Sequence, residues 1–205
     1  CNRLQASLNL HRGPLLAVGL FQLSGGRRQL LSVLHHLVVD GVSWRILLED
    51  FNAALETVLK GEEVALGYKT TSYKQWVESL KEGIDYGHFN NEIDYWESIT
   101  DKEKPNLPLD FPGGSLKVSD TTSFSVSLPE GLTQSLLRDV HHSYRTEIND
   151  LLLTALARCI SDWSGNVDIY IDLEGHGREM FSDKIDLSRT VGWFTSVYPV
   201  RLKYE

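Results

Sequence analysis

One stretch of the chain joins an apolar run, a histidine pair, an Asp-Gly turn and an amphipathic helix without interruption. The apolar run at 29–36 ends in the two histidines, the turn follows at 40–41, and apolar residues recur at helical spacing across 42–60. This order is typical of a strand, a tight turn and a long helix that buries one face. Because such a helix must pack on a sheet, the chain is predicted to be α/β, with mixed sheets and helices packed on them.

The rest of the pattern supports the same fold class. The predicted elements are a hairpin of buried strands at 15–22 and 29–36, helices at 42–60, 71–82, 87–98, about 130–144 and 147–163, and strands at 121–128, 167–174 and 193–203. Thr146 is the predicted N-cap of the helix at 147–163. Residues 105–114 contain three prolines and two glycines, which interrupt both kinds of periodicity. We place a lobe boundary there, so that the predicted lobes are residues 1–112 and 113–205.

Composition excludes several classes of partner. The 205 residues carry a net charge of -8 and contain no basic tract, so nucleic acid is not expected as a partner. No apolar run reaches the roughly 18–20 residues that a membrane span needs. Two cysteines are too few for a disulfide framework and lack metal-binding spacing, which favours a reducing cytoplasmic location and no metal. Since the chain does not begin with Met, we expect it to be a piece of a longer polypeptide.

The histidine pair is the first candidate for chemistry. His35 and His36 would point to opposite faces of a strand, so only one of them can face a given cavity. Asp40 has two interpretations, as a cap of the following helix or as the partner of an arginine that holds the loop in shape. Ser43 suits an N-cap or first-turn position. A histidine at a strand–turn–helix junction can serve as an oriented acid/base group.

The second candidate is a carboxylate at the end of a predicted strand. Residues 167–174 alternate between apolar and polar, and Glu174 falls on the polar face. It is either a solvated surface carboxylate or a positioned base. The Gly-His-Gly turn that follows permits unusual backbone angles and close approach of other groups, which favours the second interpretation. His176 lies in that turn and has two interpretations, as a side chain that shapes the turn or as one that acts beside Glu174. The chain contains no GxSxG, GxGxxG or Walker pattern.

Three segments carry a family resemblance. HHLVVDGVSWRIL at 35–47 resembles the HHxxxDG motif of the condensation-domain superfamily of nonribosomal peptide synthetases. EGHGRE at 174–179 and RTVGWFTS at 189–196, followed by VYPV, resemble motifs of the epimerization branch of that superfamily. The resemblance spans essentially the whole chain.

The resemblance implies a fold and a set of site residues. The fold would be two lobes like chloramphenicol acetyltransferase, both incomplete here, with the active site in a tunnel between them. The catalytic acid/base residues of the family correspond to His36 and Glu174. Supporting roles fall to His35, Gly41 and Ser43. Asp40 would hold the motif loop through an arginine, with Arg189 as the predicted partner.

The resemblance also implies the reaction. An aminoacyl or peptidyl group, carried as a thioester on the 4'-phosphopantetheine of an upstream peptidyl carrier domain of a megasynthase, would be inverted at its α-carbon from L to D. Such an isomerase binds no metal or redox cofactor of its own. Three alternatives remain open: a condensation domain that joins two carrier-bound amino acids, a noncatalytic carrier-docking domain, and a stand-alone acyltransferase.

Overall fold

The structure is a computed structural model, and its elements confirm the mixed α/β class. It describes residues 1–100, 104–115, 117–140, 145–179 and 181–204. The chain divides by its contacts into two compact units, Cys1–Ile93 with Glu174–Tyr198 and Asp94–Leu173 with Pro199–Glu205. Within the described ranges, no helix has the length and apolar character to cross a membrane.

Helices and strands alternate in groups along the chain. The first group is α1 (Asn2–Gln5), β1 (Leu16–Gln22), β2 (Arg28–Leu34), α2 (Gly41–Leu59) and α3 (Tyr73–Asp85). The second group is α4 (Ile93–Thr100), α5 (Glu130–Gln134), α6 (Ile148–Ser164), β3 (Asp168–Gly175) and β4 (Ser196–Lys203). β1 pairs with β2, and β3 pairs with β4, each in a two-stranded sheet of the described residues.

The predicted N-terminal hairpin is confirmed, but its predicted burial is wrong. β1 and β2 are antiparallel, in a register that sets Leu16 opposite Leu34. Leu16, Val18 and Leu20 are 51%, 53% and 65% exposed. Burial of both faces needs a layer on each side of the sheet, and the described residues do not supply one.

Local sequence explains the two long helices of the first unit. α2 begins after Asp40, which caps it, and stops just before Gly61, whose φ of 78° favours glycine. α3 begins with a capping box: the Ser72 hydroxyl accepts from the Gln75 N–H at 3.2 Å, and the Gln75 side chain accepts from the Ser72 N–H at 2.9 Å. Both helices were predicted within a few residues of these bounds.

Three predicted helix bounds need correction. The helix predicted at 87–98 begins only at Ile93, because Gly87 adopts a φ of 72° that a helix does not allow. α5 passes into a π-helical turn at Ser135–Asp139, and residues 141–144 of that predicted helix lie outside the described residues. The N-cap of α6 is Glu147 rather than Thr146, because Glu147 and Asp150 form a reciprocal capping box.

The predicted strands of the C-terminal half are confirmed except for one. β3 and β4 form near their predicted positions, but residues 121–128 are not a strand, and all of them are exposed. No ladder joins them to a strand in the described part of the chain, and alternation alone does not make a strand without a partner. β4 begins at Ser196, two residues after Phe194, whose N–H donates to Asp40.

A small buried cluster supports the segment between β3 and β4. Ile185, Leu187 and Phe194 are at most 5% exposed, and the half-buried Trp76 and Phe181 pack against them. All five residues belong to the first unit. The cluster fixes this irregular segment against α3, which is where the candidate site lies.

Candidate active site

Asp40 lies between a 3-10 turn at His36–Val38 and the first turn of α2, and it is 4% exposed. Its Oδ1 accepts the Ser43 N–H at 2.7 Å, which is the N-cap interaction. Its Oδ2 accepts the Phe194 N–H at 3.3 Å. The same carboxylate therefore caps α2 and binds the segment that precedes β4. The predicted capping role of Asp40 is confirmed.

The arginine that pairs with Asp40 is Arg178, so the prediction of Arg189 is wrong. Nη2 of Arg178 lies 3.0 Å from both carboxylate oxygens, and the two side chains are 7% and 3% exposed. Nη1 donates to the carbonyl oxygens of Leu187 at 3.0 Å and Thr190 at 2.8 Å. Arg178 therefore binds the junction before α2 and the loop at 187–190 at once.

Arg189 makes a different set of contacts. Its guanidinium pairs with Glu49 at 3.2 Å and also with Asp50, both on α2. The side chains of Arg189 and Glu49 are 36% and 66% exposed, so water screens this interaction. These partners follow Asp40 by nine and ten residues, so Arg189 contacts α2 away from the Asp40 loop. Arg189 therefore connects the RTVGWFTS segment at 189–196, the third motif, to α2 at the surface and does not hold the Asp40 loop.

Burial and hydrogen bonding act on the Asp40 carboxyl in opposite directions. Burial raises its pKa and is the largest single influence. Hydrogen bonds from Ser43, from Arg178 and from the Phe194 N–H together outweigh burial and hold the pKa of Asp40 below its ordinary value. Asp40 is therefore a carboxylate whose accepting positions are taken up by structural donors.

Ser43 is a first-turn residue of α2, as predicted, and it is fully buried. Its hydroxyl donates to the Gly192 carbonyl at 2.9 Å and accepts the Gly192 N–H at 3.1 Å. It also accepts from Arg178 at 3.0 Å. A Cβ on Gly192 would come within 2.5 Å of the Tyr73 ring at the start of α3, so the close contact of this backbone with α3 requires glycine.

Glu174 lies in an open cleft of about 500 Å³ whose lining belongs entirely to the first unit. The cleft is lined by Asp40, Gly41, Val42, Arg45, Glu174, Gly175, His176 and Thr195. Glu174 is exposed and, among the described residues, its carboxylate has no hydrogen-bond or ion-pair partner. The structure thus brings the predicted Glu174, Asp40 and Gly41 together, and it leaves the Glu174 carboxylate available for chemistry.

The histidine pair does not lie on a strand, so the prediction that its members point to opposite sheet faces is wrong. β2 ends at Leu34, and His35 caps the 3-10 turn that follows by accepting the Leu37 N–H on Nδ1 at 3.2 Å. His36 is exposed, and its ring meets Trp193 edge-on with centroids 5.6 Å apart. His35 therefore shapes the turn, while His36 presents its imidazole beside the third motif.

His176 shapes the turn after β3, as predicted. Its Nδ1 accepts the Arg178 N–H at 3.0 Å, much as His35 accepts from the residue two positions later. Gly177 follows with a φ of 64°, and a Cβ there would overlap the carbonyl oxygen of Phe194. The Gly-His-Gly turn thus orients Arg178 towards Asp40 and brings the backbone against the third motif. Arg178 is the functional residue that sequence reasoning missed.

The arrangement is suited to proton transfer by side chains. The Asp40 carboxylate is held by structural donors, whereas Glu174 lines the cleft and His36 exposes its imidazole beside Trp193. Within the described residues, no group of three or more His, Cys, Asp or Glu side chains is arranged to hold a metal ion. An exposed carboxylate and an exposed imidazole are the kinds of group that supply acid/base chemistry.

The chain is similar to bacterial synthases of tyrocidine and surfactin. It is 44% identical over 205 residues to tyrocidine synthase 2 of Brevibacillus parabrevis, an alignment that covers 100% of this chain and 6% of the synthase. It is 44% identical over 201 residues to surfactin synthase subunit 2 of Bacillus subtilis, covering 98% of this chain and 6% of the synthase. The chain thus spans less than a tenth of these relatives.

Solved structures show the same similarity. The epimerization domain from the third module of tyrocidine synthetase B is 44% identical with a TM-score of 0.85, covering 98% of this chain and 45% of that one. The first condensation domain of the CDA synthetase shares the fold at 21% identity and a TM-score of 0.67, covering 93% of this chain and 41% of that one. The profile of the family described as Condensation domain matches residues 1–205, and the chain belongs to that family.

Proposed function

We propose that this chain is part of an epimerization domain, which inverts the α-carbon of a carrier-bound aminoacyl or peptidyl thioester from L to D. The observation that carries the proposal is the Glu174 carboxylate, which has no hydrogen-bond or ion-pair partner among the described residues and lines a cleft beside Asp40 and Gly41. A condensation domain has little need for a carboxylate at this position. The similarity to a solved epimerization domain supports the same choice.

The chemistry requires two proton-handling groups. A thioester acidifies the neighbouring α-proton because the resulting carbanion is delocalised into an enolate. Inversion requires that one group removes the proton from one face and that another returns a proton to the opposite face. We assign these tasks to His36 and Glu174, and either can begin the reaction because the interconversion runs in both directions.

Other residues of the site hold these two in place. Asp40 and Arg178 join the turn that carries His36 to the turn that follows Glu174. Ser43 fixes α2 to the third motif through Gly192. His35 shapes the turn before Asp40, and Gly41 is the first residue of α2 and lines the cleft. These residues position the acid/base groups and do not themselves transfer protons.

The substrate and its carrier follow from the proposed reaction. The thioester would be presented on the 4'-phosphopantetheine of an upstream peptidyl carrier domain of the same synthetase, and no further cofactor is needed. The similarity to synthases of tyrocidine and surfactin supports this setting. A cytoplasmic location fits a chain of this kind. The division into lobes at about residue 112 also stays a proposal.

The test uses the synthetase that carries this chain, with its carrier loaded with an L-aminoacyl group. We would follow α-hydrogen exchange in deuterated water together with the L/D ratio of the released amino acid. Glu174→Gln and His36→Ala should each slow exchange by about 100-fold or more. Asp172→Asn, which alters an exposed acid on the same strand, should exchange at the wild-type rate.

Two results would contradict the proposal. The first is undiminished exchange and inversion in Glu174→Gln. The second is an absence of exchange in the wild type combined with dipeptide formation once an acceptor carrier is added. The second result would identify a condensation domain.

A further inference from the structure

The first unit contains a second open cleft, of about 580 Å³, that is lined largely by aromatic residues and is called the aromatic cavity below. Its aromatic residues are Tyr73, Trp76, Phe89, Phe181, Trp193 and Phe194. Its size falls within the range of about 300–1,000 Å³ that is typical of small-molecule sites. Leu80 of α3 adds an aliphatic wall, and Thr195 and Ser196 add hydroxyl groups. The cavity is therefore suited to an apolar group with few polar atoms.

The walls of this aromatic cavity are held in place by packing. The Phe194 ring lies 4.8 Å from the Trp76 ring and 5.0 Å from the Tyr73 ring, both in edge arrangements. Phe194 is 3% exposed, and it belongs to the buried cluster of Ile185 and Leu187. The Tyr73 hydroxyl donates to the Trp193 carbonyl at 2.9 Å. The cavity is therefore largely formed before any ligand enters it, which lowers the entropic cost of binding.

The aromatic cavity adjoins the candidate active site. Thr195 lines both this cavity and the cleft that contains Glu174. Trp193, on the cavity wall, meets the ring of His36. Gly177, from the turn that follows Glu174, also lines the cavity. A molecule whose reacting carbon lies between His36 and Glu174 would thus have this cavity next to that carbon.

We infer that the aromatic cavity receives the side chain borne by the α-carbon under inversion, and that the substrate is an aminoacyl or peptidyl thioester with a large apolar or aromatic side chain at that carbon. The inference rests on the proposed function. The one acidic lining residue, Glu179, keeps 70% of its side chain exposed, so it stays in water and disfavours an acidic substrate side chain. Burial of a phenyl or branched aliphatic group would supply the binding energy.

The kinetic test compares phenylalanyl and alanyl thioesters on the carrier of the full synthetase. The wild type should invert the phenylalanyl group with a kcat/KM about 10-fold to 100-fold higher. Leu80→Trp, which fills the cavity, should lower that ratio at least about tenfold. Leu109→Trp, at an exposed loop position, should leave the ratio as it is. Phe89→Leu enlarges the cavity and should shift the preference towards tryptophanyl substrates, which provides a second variant if Leu80→Trp does not fold.

A binding test separates this inference from the proposed function. N-acetyl-phenylalanyl and N-acetyl-alanyl pantetheine thioethers, which do not turn over, would be titrated while tryptophan fluorescence is followed. Tighter binding of the phenylalanyl compound, lost in Leu80→Trp, supports the cavity assignment even if no thioester is epimerised. Equal binding of the two compounds by the wild type overturns it. So does epimerisation in which Leu80→Trp slows both substrates equally, and in that case the proposed function stands.

Discussion

Replacing Arg178 with Met should destabilise the domain far more than the same change at Arg189. Arg178→Met removes the partner of a carboxylate that is 4% exposed, together with donors to the carbonyl groups of Leu187 and Thr190. It also removes the guanidinium that lies 4.1 Å from the centre of the Phe194 ring. Met retains most of the aliphatic volume, so the change tests the charged group and not the size of the side chain.

The magnitudes follow from burial. Breaking a buried ion pair by deleting one partner leaves an uncompensated charge and costs about 3–5 kcal/mol. Arg189→Met breaks contacts to Glu49 and Asp50 whose members are one third or more exposed, and such pairs contribute little to stability because water screens them. Both changes remove one guanidinium from a segment between β3 and β4, so Arg189→Met is a matched control.

The assay is equilibrium urea unfolding at pH 7, followed by tryptophan fluorescence. Adding Asp40→Asn to Arg178→Met should cost less than the sum of the two single changes, because the buried charge is then absent, with a coupling of about 1–3 kcal/mol. Equal losses from Arg178→Met and Arg189→Met would refute the argument. Additive losses for Asp40→Asn and Arg178→Met would refute it as well.

Three further predictions test the junction. Gly177→Ala should lower the free energy of unfolding in urea more than Gly25→Ala does. Gly25 has a φ of 75° and open space around it, so Gly25→Ala measures backbone strain of about 1–2 kcal/mol alone, whereas a Cβ at residue 177 also overlaps a carbonyl oxygen. Equal losses would contradict this. Ser43→Ala should lower the free energy of unfolding by about 1–3 kcal/mol because its buried hydrogen bonds are lost, whereas Ser98→Ala, at an exposed position, should lower it by less than about 0.5 kcal/mol. Thermal unfolding measures both changes, and a loss from Ser98→Ala as large as that from Ser43→Ala would contradict the prediction. The pKa of Asp40 is lowered in the folded state, so the stabilisation by its carboxylate is complete above about pH 4 and is lost as the pH falls through the folded-state pKa. The difference in the free energy of unfolding between wild type and Asp40→Asn should therefore narrow below about pH 4. A difference that stays constant from neutral pH downwards would exclude this assignment.

Elements with a strong local pattern were predictable from sequence. The hairpin, α2, α3 and β3 have apolar repeats that continue for a whole element, and the glycines at their ends mark where they stop. Residues 121–128 alternate equally well but form no strand, because a strand depends on a neighbour that the local sequence does not specify. The start of the helix after Gly87 also depended on a backbone angle and not on the apolar pattern.

In the candidate site, too, local contacts were predictable from the sequence and contacts between distant residues were not. The cap from Asp40 to Ser43 spans three residues, and the sequence indicated it as one of two interpretations of Asp40. The partner of Asp40 lies 138 residues away, and sequence spacing did not distinguish Arg178 from Arg189. The signal that was available is the position of Arg178 directly after a Gly-His-Gly turn, whose freedom to approach other backbone makes a buried contact at the next residue reasonable.

The Asp40–Arg178 pair offers a physical reason why three distant motifs work as one site. Asp40 follows His36 by four residues, and Arg178 follows Glu174 by four residues, so each proposed acid/base group is tethered by a short segment to one end of the buried pair. A displacement of either segment would leave a desolvated charge without its partner, which is energetically unfavourable. The segment from Leu187 to Phe194 is bound to the same two side chains through its backbone. The ion pair therefore joins the two segments that carry the proposed acid/base groups, and the third motif is bound to the same pair through its backbone.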